Sequence, residues 1–145
     1  MATVIRAELS PKNKYWISKH RYYELKHFCL QYPEWKKIYS EISDEYLPLS
    51  TTDAIPSSSF PDDPTAQRAM MKIFYSNRIK TIERLAFEAD PCLCDYIIKG
   101  VTEGRSYTYL STSMRIPCGK DMYYDRYRKF FWLLNESREQ DIYGH

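Results

Sequence analysis

Apolar residues recur at spacings of three and four along most of this chain, and no segment alternates apolar and polar positions as a strand does. This pattern predicts a first helix after Ser10-Pro11, with its apolar positions at Tyr15, Ile17, Tyr22, Leu25, Phe28, Cys29 and Tyr32. Pro33 predicts a break. A second short helix then begins at Glu34-Trp35, with Trp35, Ile38, Tyr39 and Ile42 on one side. Residues 1–10 are expected to be a loose or partner-dependent arm.

The middle of the chain changes character between residues 46 and 64, where four prolines stand among serines and threonines. Such a segment predicts a linker or a long surface loop. A long helix follows, for which Asp62 or Asp63 can cap the free amides and Pro64 suits the first turn. Its predicted apolar stripe is Ala66, Ala69, Met70, Ile73, Ile79, Ile82, Ala86 and Ala89. After Asp90-Pro91 comes a short helix closed by Gly100 or Gly104.

These patterns predict an all-α fold, a helical bundle with a C-terminal helix-turn-helix. The expected organisation is an N-terminal helical unit at 1–46, a proline- and serine-rich linker at 47–64 and a helical domain at 65–145, with the helix-turn-helix at about 105–135. The length of 145 residues suits one domain with a single core, or a small domain plus an arm.

The last third carries the candidate functional element. Ser106 is placed to cap a helix over about 106–112, Pro117 and Gly119 supply a turn, and a longer helix begins at Lys120. At about 100° per residue, one side of that helix collects the rings and a leucine, namely Tyr123, Tyr127, Phe130, Phe131 and Leu134. The opposite side carries mostly charged residues, Asp121, Asp125, Arg128, Lys129 and Trp132. This outward side is the candidate DNA surface.

The predicted DNA-binding residues are Arg115, Lys120, Asp121, Tyr124, Asp125, Arg128 and Lys129. Lysine and arginine neutralise phosphates or bond a guanine edge, an aspartate accepts from a cytosine amine, and free amides at a helix start meet a phosphate. The alternative is a solvated helix face with ion pairs of little net value, on a plain helical interaction module.

Composition excludes several classes of function. The net charge of +2 gives only mild attraction to polyanions, so charge alone does not indicate a nucleic-acid binder. Four cysteines without a CxxC pair predict free thiols in a reducing compartment and no metal site, and no apolar run is long enough to span a bilayer. No catalytic or phosphate-loop motif is present. We therefore expect a cytoplasmic protein that is not an enzyme and needs no cofactor.

Three short motifs carry a family resemblance over residues 62–134. Asp63-Pro64-Thr65 opens the long helix, Arg78-Ile79-Lys80-Thr81-Ile82-Glu83 lies within it, and Tyr96-Ile97-Ile98 leads to the helix pair. In these motifs the chain resembles the phage late-gene transcriptional regulators of the RinA and ArpU type. The resemblance implies a bacterial or prophage DNA-binding protein whose C-terminal helices are similar to the promoter-binding part of sigma factors.

In that family the second helix of the pair recognises DNA, which here corresponds to Lys120, Asp121, Tyr124, Asp125 and Arg128. Two features depart from the pattern, the Pro117-Cys118-Gly119 turn and the many rings after it. The N-terminal aromatic residues lie outside the resemblance. They are expected to bind a protein such as RNA polymerase or to form a homodimer, while double-stranded DNA is the main expected partner. The alternative function is a phage-encoded protein-binding module that inhibits a host nuclease or polymerase.

Overall fold

The structure, a computed structural model, describes residues 13–43 and 63–143. All regular secondary structure in these residues is helical, so the predicted all-α class is confirmed. The helices are α1 (Lys19–Leu30), α2 (Tyr32–Ser43), α3 (Pro64–Ala89), α4 (Cys94–Glu103), α5 (Tyr107–Met114) and α6 (Lys120–Tyr143). The predicted arm at 1–10, and the predicted linker apart from its last two residues, lie outside the described residues.

The first helix is shorter than predicted. Ser18 is its N-cap and accepts a hydrogen bond from the Arg21 amide (3.4 Å), so Tyr15 and Ile17 precede the helix. The break falls at Gln31, and Pro33 lies inside the first turn of α2. Proline is tolerated there because the first amides of a helix have no partner within it. The predicted break at Pro33 was therefore placed two residues too late.

One compact unit comprises Met1–Gln31 and Thr81–His145. Within it α1 packs on α4 and α6, and α4 also packs on α5 and α6. Its core combines aromatic residues of α6 with residues of α1 and α4, and it includes Leu25, Ile97, Tyr123, Phe130 and Phe131. The prediction had grouped the first helix with the second and did not include this packing onto α6.

The second compact unit comprises Tyr32–Lys80 and contains α2 with the first part of α3. Trp35, Met71 and Tyr75 are buried, and the Arg78 guanidinium lies 5.5 Å from the Trp35 ring centroid. In this part of α3 the predicted stripe is wrong, because Met70 is 43% exposed and Ile73 is 60% exposed. The helix is turned so that Met71 and the large ring of Tyr75 are covered instead, and a tyrosine ring buries a large apolar area.

The second part of α3 follows the prediction, since Ile82, Ala86 and Ala89 are buried. Pro64 is the first residue of α3, and the Asp63 carboxylate accepts from the Thr65 amide (3.3 Å). At the other end, Gly104 closes α4 with a left-handed backbone (φ 68°), which glycine adopts without steric cost. Gly104 is thus the predicted closing glycine.

Candidate nucleic-acid interface

Two consecutive helices, α5 and α6, lie where the sequence predicts them. The Ser106 hydroxyl caps α5 and accepts from the Tyr109 amide (3.2 Å), as the sequence suggested. α6 begins at Lys120 after a connection of residues 115–119, and it continues beyond the predicted end. The start of both helices is therefore confirmed, while their action as a DNA-binding helix-turn-helix stays a prediction.

The connection between α5 and α6 is held by two hydrogen bonds to residues of α5. The Ile116 amide donates to the Leu110 carbonyl (3.0 Å), and the Tyr107 hydroxyl donates to the Cys118 carbonyl (2.6 Å). Arg115 adopts the left-handed backbone (φ 56°), which is costly for a residue with a Cβ. The connection thus has a defined conformation, and it presents the exposed Arg115 just before the start of α6.

The ring side of α6 is buried, as the helical spacing predicts. Its buried residues are Tyr123, Tyr127, Phe130, Phe131 and Leu134. The Tyr127 hydroxyl shares a hydrogen bond with the Tyr22 hydroxyl (2.7 Å), and the Tyr22 and Phe131 rings meet edge to face at 5.2 Å. Burial raises the pKa of the Tyr127 hydroxyl well above its usual value. α1 therefore contacts the rings of α6 and also forms a hydrogen bond with one of its hydroxyls.

Tyr123 shows how tightly this side of α6 is packed. A Cβ added at Gly100 of α4 would collide with the Tyr123 hydroxyl, so a larger residue at that position would have to displace the tyrosine ring. The hydroxyl is buried and has no hydrogen-bond partner. Burial raises the pKa of this group strongly, because an ionised phenolate would be desolvated there. The close approach of α4 to α6 thus leaves one polar atom unsatisfied.

Tyr124, one of the predicted DNA-binding residues, is not on the exposed side. It is 8% exposed, and its hydroxyl accepts a hydrogen bond from the Tyr107 amide (3.2 Å). On a helical wheel Tyr124 stands beside the ring side, and the start of α5 covers it. Tyr124 therefore helps to hold α5 against α6 and does not belong to the exposed surface.

The start of α6 presents charged residues to the outside. Lys120 and Asp121 are exposed, and among the described residues no oppositely charged group pairs with them or with Arg115. Asp125 is different, because its carboxylate accepts from the Arg126 guanidinium, which also donates to Asp90 (3.0 Å). Asp125 therefore already has a cationic partner, and Lys120, Asp121 and Arg115 are the predicted residues most available to a ligand.

Arg128 and Lys129 lie further along the same side and are half-buried. The Nε atom of Arg128 is buried and has no hydrogen-bond partner. One turn later Trp132 is also half-buried, and the Tyr15 ring lies against it with 6.1 Å between centroids. The outward side of α6 is thus open at its start and covered by the N-terminal segment at Trp132.

The sequence reasoning did not place this N-terminal segment on α6. Residues 12–21 form a basic run, but no local pattern indicates what they contact. In the structure the Arg21 Nε donates to the Asn135 side-chain oxygen, and the Tyr15 ring meets Trp132. The only sequence signal is the coincidence of a basic and aromatic run at each end of the chain.

Neither a metal-ligand cluster nor the buried cysteine provides another site in the described part of the chain. No three potential ligands gather there in a way that could hold a metal ion, and burial raises the pKa of the Cys29 thiol, which makes it a poor nucleophile. Among the described helices none could cross a membrane. The chain matches no protein-family model, no curated protein and no solved structure.

Proposed function

We propose that this chain is a DNA-binding transcriptional regulator, of the phage or prophage type that its sequence resembles, and that it acts by binding without catalysis. One observation carries the proposal. The rings of α6 are buried against its neighbours while Lys120 and Asp121 at its start stay exposed, as does Arg115 in the connection that precedes it. A helix with this arrangement can enter a major groove without uncovering its core.

The chemistry of the exposed residues fits duplex DNA. Lys120 donates to a phosphate or to a guanine edge, and Asp121 accepts from a cytosine amine. Arg115 stands before the helix start, where unpaired backbone amides add a further attraction for a phosphate. Because Asp121 repels phosphates in general, this set favours a defined base sequence over indiscriminate binding.

Selection from random DNA tests the proposal. Duplex fragments retained by the protein at modest salt should yield a consensus, and Lys120→Glu should weaken binding to that consensus by at least tenfold, since it replaces a phosphate contact with a repulsion. Lys37→Glu is the matched control, because Lys37 is an exposed lysine of α2 in the other compact unit. Retention of no fragment by the unaltered protein would overturn the proposal.

A second candidate function has its own observation. Met70 and Ile73 lie one turn apart on α3 and expose apolar side chains. This favours a protein-binding module, such as a phage inhibitor of a host nuclease or polymerase. Recovery of one stoichiometric protein partner, lost in Ile73→Lys, together with no retained DNA would support it. RNA polymerase and a second copy of the chain are further proposed partners of the DNA-binding form.

A further inference from the structure

The segment before α1 has a defined conformation. The Asn13 side-chain oxygen accepts from the Tyr15 amide (2.8 Å), and the Asn13 carbonyl accepts from the Trp16 amide (3.0 Å). These two bonds form a tight turn of the kind that asparagine side chains stabilise. Ile17, which follows, is buried. The segment therefore has a fixed course instead of trailing from the helix.

Two contacts attach this segment and the start of α1 to α6. The Tyr15 ring lies on Trp132, and the Arg21 guanidinium donates to the Asn135 side chain. Trp132 and Asn135 are three residues apart and so lie on adjacent positions of one helix face. The N-terminal segment is thus placed along the side of α6 that also carries Arg128 and Lys129.

This placement combines cationic groups from distant parts of the sequence. Lys14 and Lys19 are exposed, and the Lys14 ammonium lies 5.0 Å from the Tyr15 ring centroid. Arg128 and Lys129 precede Trp132 by one turn. Trp16, which lies between Lys14 and Lys19 in the sequence, is 40% exposed, an unusual exposure for so large a ring.

Some acidic groups beside this segment are paired with a cation, and others are exposed on α6. Glu24 is paired with Arg21 (2.9 Å), and Asp125 is paired with Arg126. Glu136 and Glu139 lie beyond Trp132 and are exposed, as is Asp121 at the start of α6. The excess of positive charge therefore belongs to residues 13–20, which contain Lys14 and Lys19 and no acidic residue, and this segment suits a polyanion.

We propose that Lys14, Trp16 and Lys19 form a second DNA contact, which binds the sugar-phosphate backbone beside the groove that the start of α6 occupies. This inference rests on the proposed function. Lys120 and Trp132 are twelve residues apart, which is about 18 Å along a helix. That separation suits one contact inside a major groove of about 12 Å and a second on the flanking backbone. Lysine binds phosphate without regard to base sequence, and the indole N–H of Trp16 can donate to a phosphate oxygen.

The test is the salt dependence of affinity for the selected consensus DNA. Each phosphate contact contributes about 0.9 to the slope of log affinity against log salt. The double variant Lys14→Gln/Lys19→Gln should lower that slope by about 1.8 and weaken binding at modest salt, while the selected consensus stays the same. Lys36→Gln/Lys37→Gln removes two exposed charges from α2 and is the matched control, with an expected slope equal to that of the unaltered protein.

The outcomes separate this inference from the proposed function. If the unaltered protein selects a consensus and both double variants keep its slope, the N-terminal contact is overturned and the role of α6 stands. An equal loss of slope in both double variants shows only a net-charge effect and also overturns it. If no DNA is selected, both proposals fail. Thermal unfolding of each variant should match that of the unaltered protein, because Lys14 and Lys19 are exposed.

Discussion

The two sides of α6 differ in almost every physical respect. One side is made of rings that are fully covered by α1 and α4, and the other carries charged groups that are exposed or half-buried. The stability of the unit therefore depends on the first side, while any ligand must meet the second. This separation means that substitutions on the two sides should affect folding and binding independently.

The largest expected effect is on the ring side. Phe131→Ala removes a fully buried ring that meets Tyr22 and Phe130, and it should lower the free energy of unfolding by about 3–5 kcal/mol. Lys129→Gln on the opposite side should change it by no more than about 0.5 kcal/mol. Urea unfolding followed by circular dichroism measures both. Similar losses in the two variants would show that the sides do not differ as described.

The second largest expected effect is a loss of stability at high pH, caused by the buried tyrosines on the ring side. The hydroxyls of Tyr123 and Tyr127 have pKa values raised by burial, whereas an unfolded tyrosine ionises at about pH 10. The folded state thus keeps protons that the unfolded state releases, so stability is unaffected by these groups below about pH 10 and falls above it. At pH 11 the two groups together should lower the free energy of unfolding by about 3 kcal/mol.

Urea unfolding at pH 9 and pH 11 measures this loss. Tyr127→Phe removes one of the two titrating groups. The part of the stability loss that Tyr123 and Tyr127 cause between pH 9 and pH 11 should therefore be about half as large in this variant. Tyr23→Phe is the control, because Tyr23 is only half-buried and should leave the loss unchanged. An identical pH dependence in Tyr127→Phe and the unaltered protein would contradict the assignment.

The contact between Gly100 and Tyr123 should have a smaller effect. Gly100→Ala forces the new methyl group against the Tyr123 hydroxyl and should cost about 1–3 kcal/mol. Tyr123→Phe alone should be neutral or stabilising, because the hydroxyl that it removes is buried without a partner. The double variant should recover part of the loss, and a double-mutant cycle measures the coupling. Strict additivity would show that the two groups do not touch.

Much of this fold follows from local sequence patterns. The ring side of α6 and the cap at Ser106 are local features, set by helical periodicity and by one side chain bonding a nearby amide, and both were predicted. The stripe on α3 was less predictable. Met70 and Met71 are equally apolar, so only tertiary packing decides which of them is covered.

The candidate site was predictable only in part. Lys120 and Asp121 follow from the helix start, but the burial of Tyr124 depends on α5, and the Tyr15–Trp132 contact joins residues that are far apart in the sequence. Nothing in a local window indicates such a contact, because its partners come together only when the whole unit folds.

Substitutions of Arg115 have the smallest expected effect on stability, and they also test the proposed DNA surface. Arg115 is exposed on the proposed DNA surface, yet it occupies a left-handed backbone position (φ 56°) that glycine adopts more easily. Arg115→Gly should therefore raise the free energy of unfolding by about 0.5–1 kcal/mol. Arg115→Ala keeps the steric cost and should give no such gain. Both variants remove the same charge, so both should weaken DNA binding equally. A gain in stability with unchanged DNA affinity would show that Arg115 contacts no phosphate, and no other feature of the connection would then explain an arginine there.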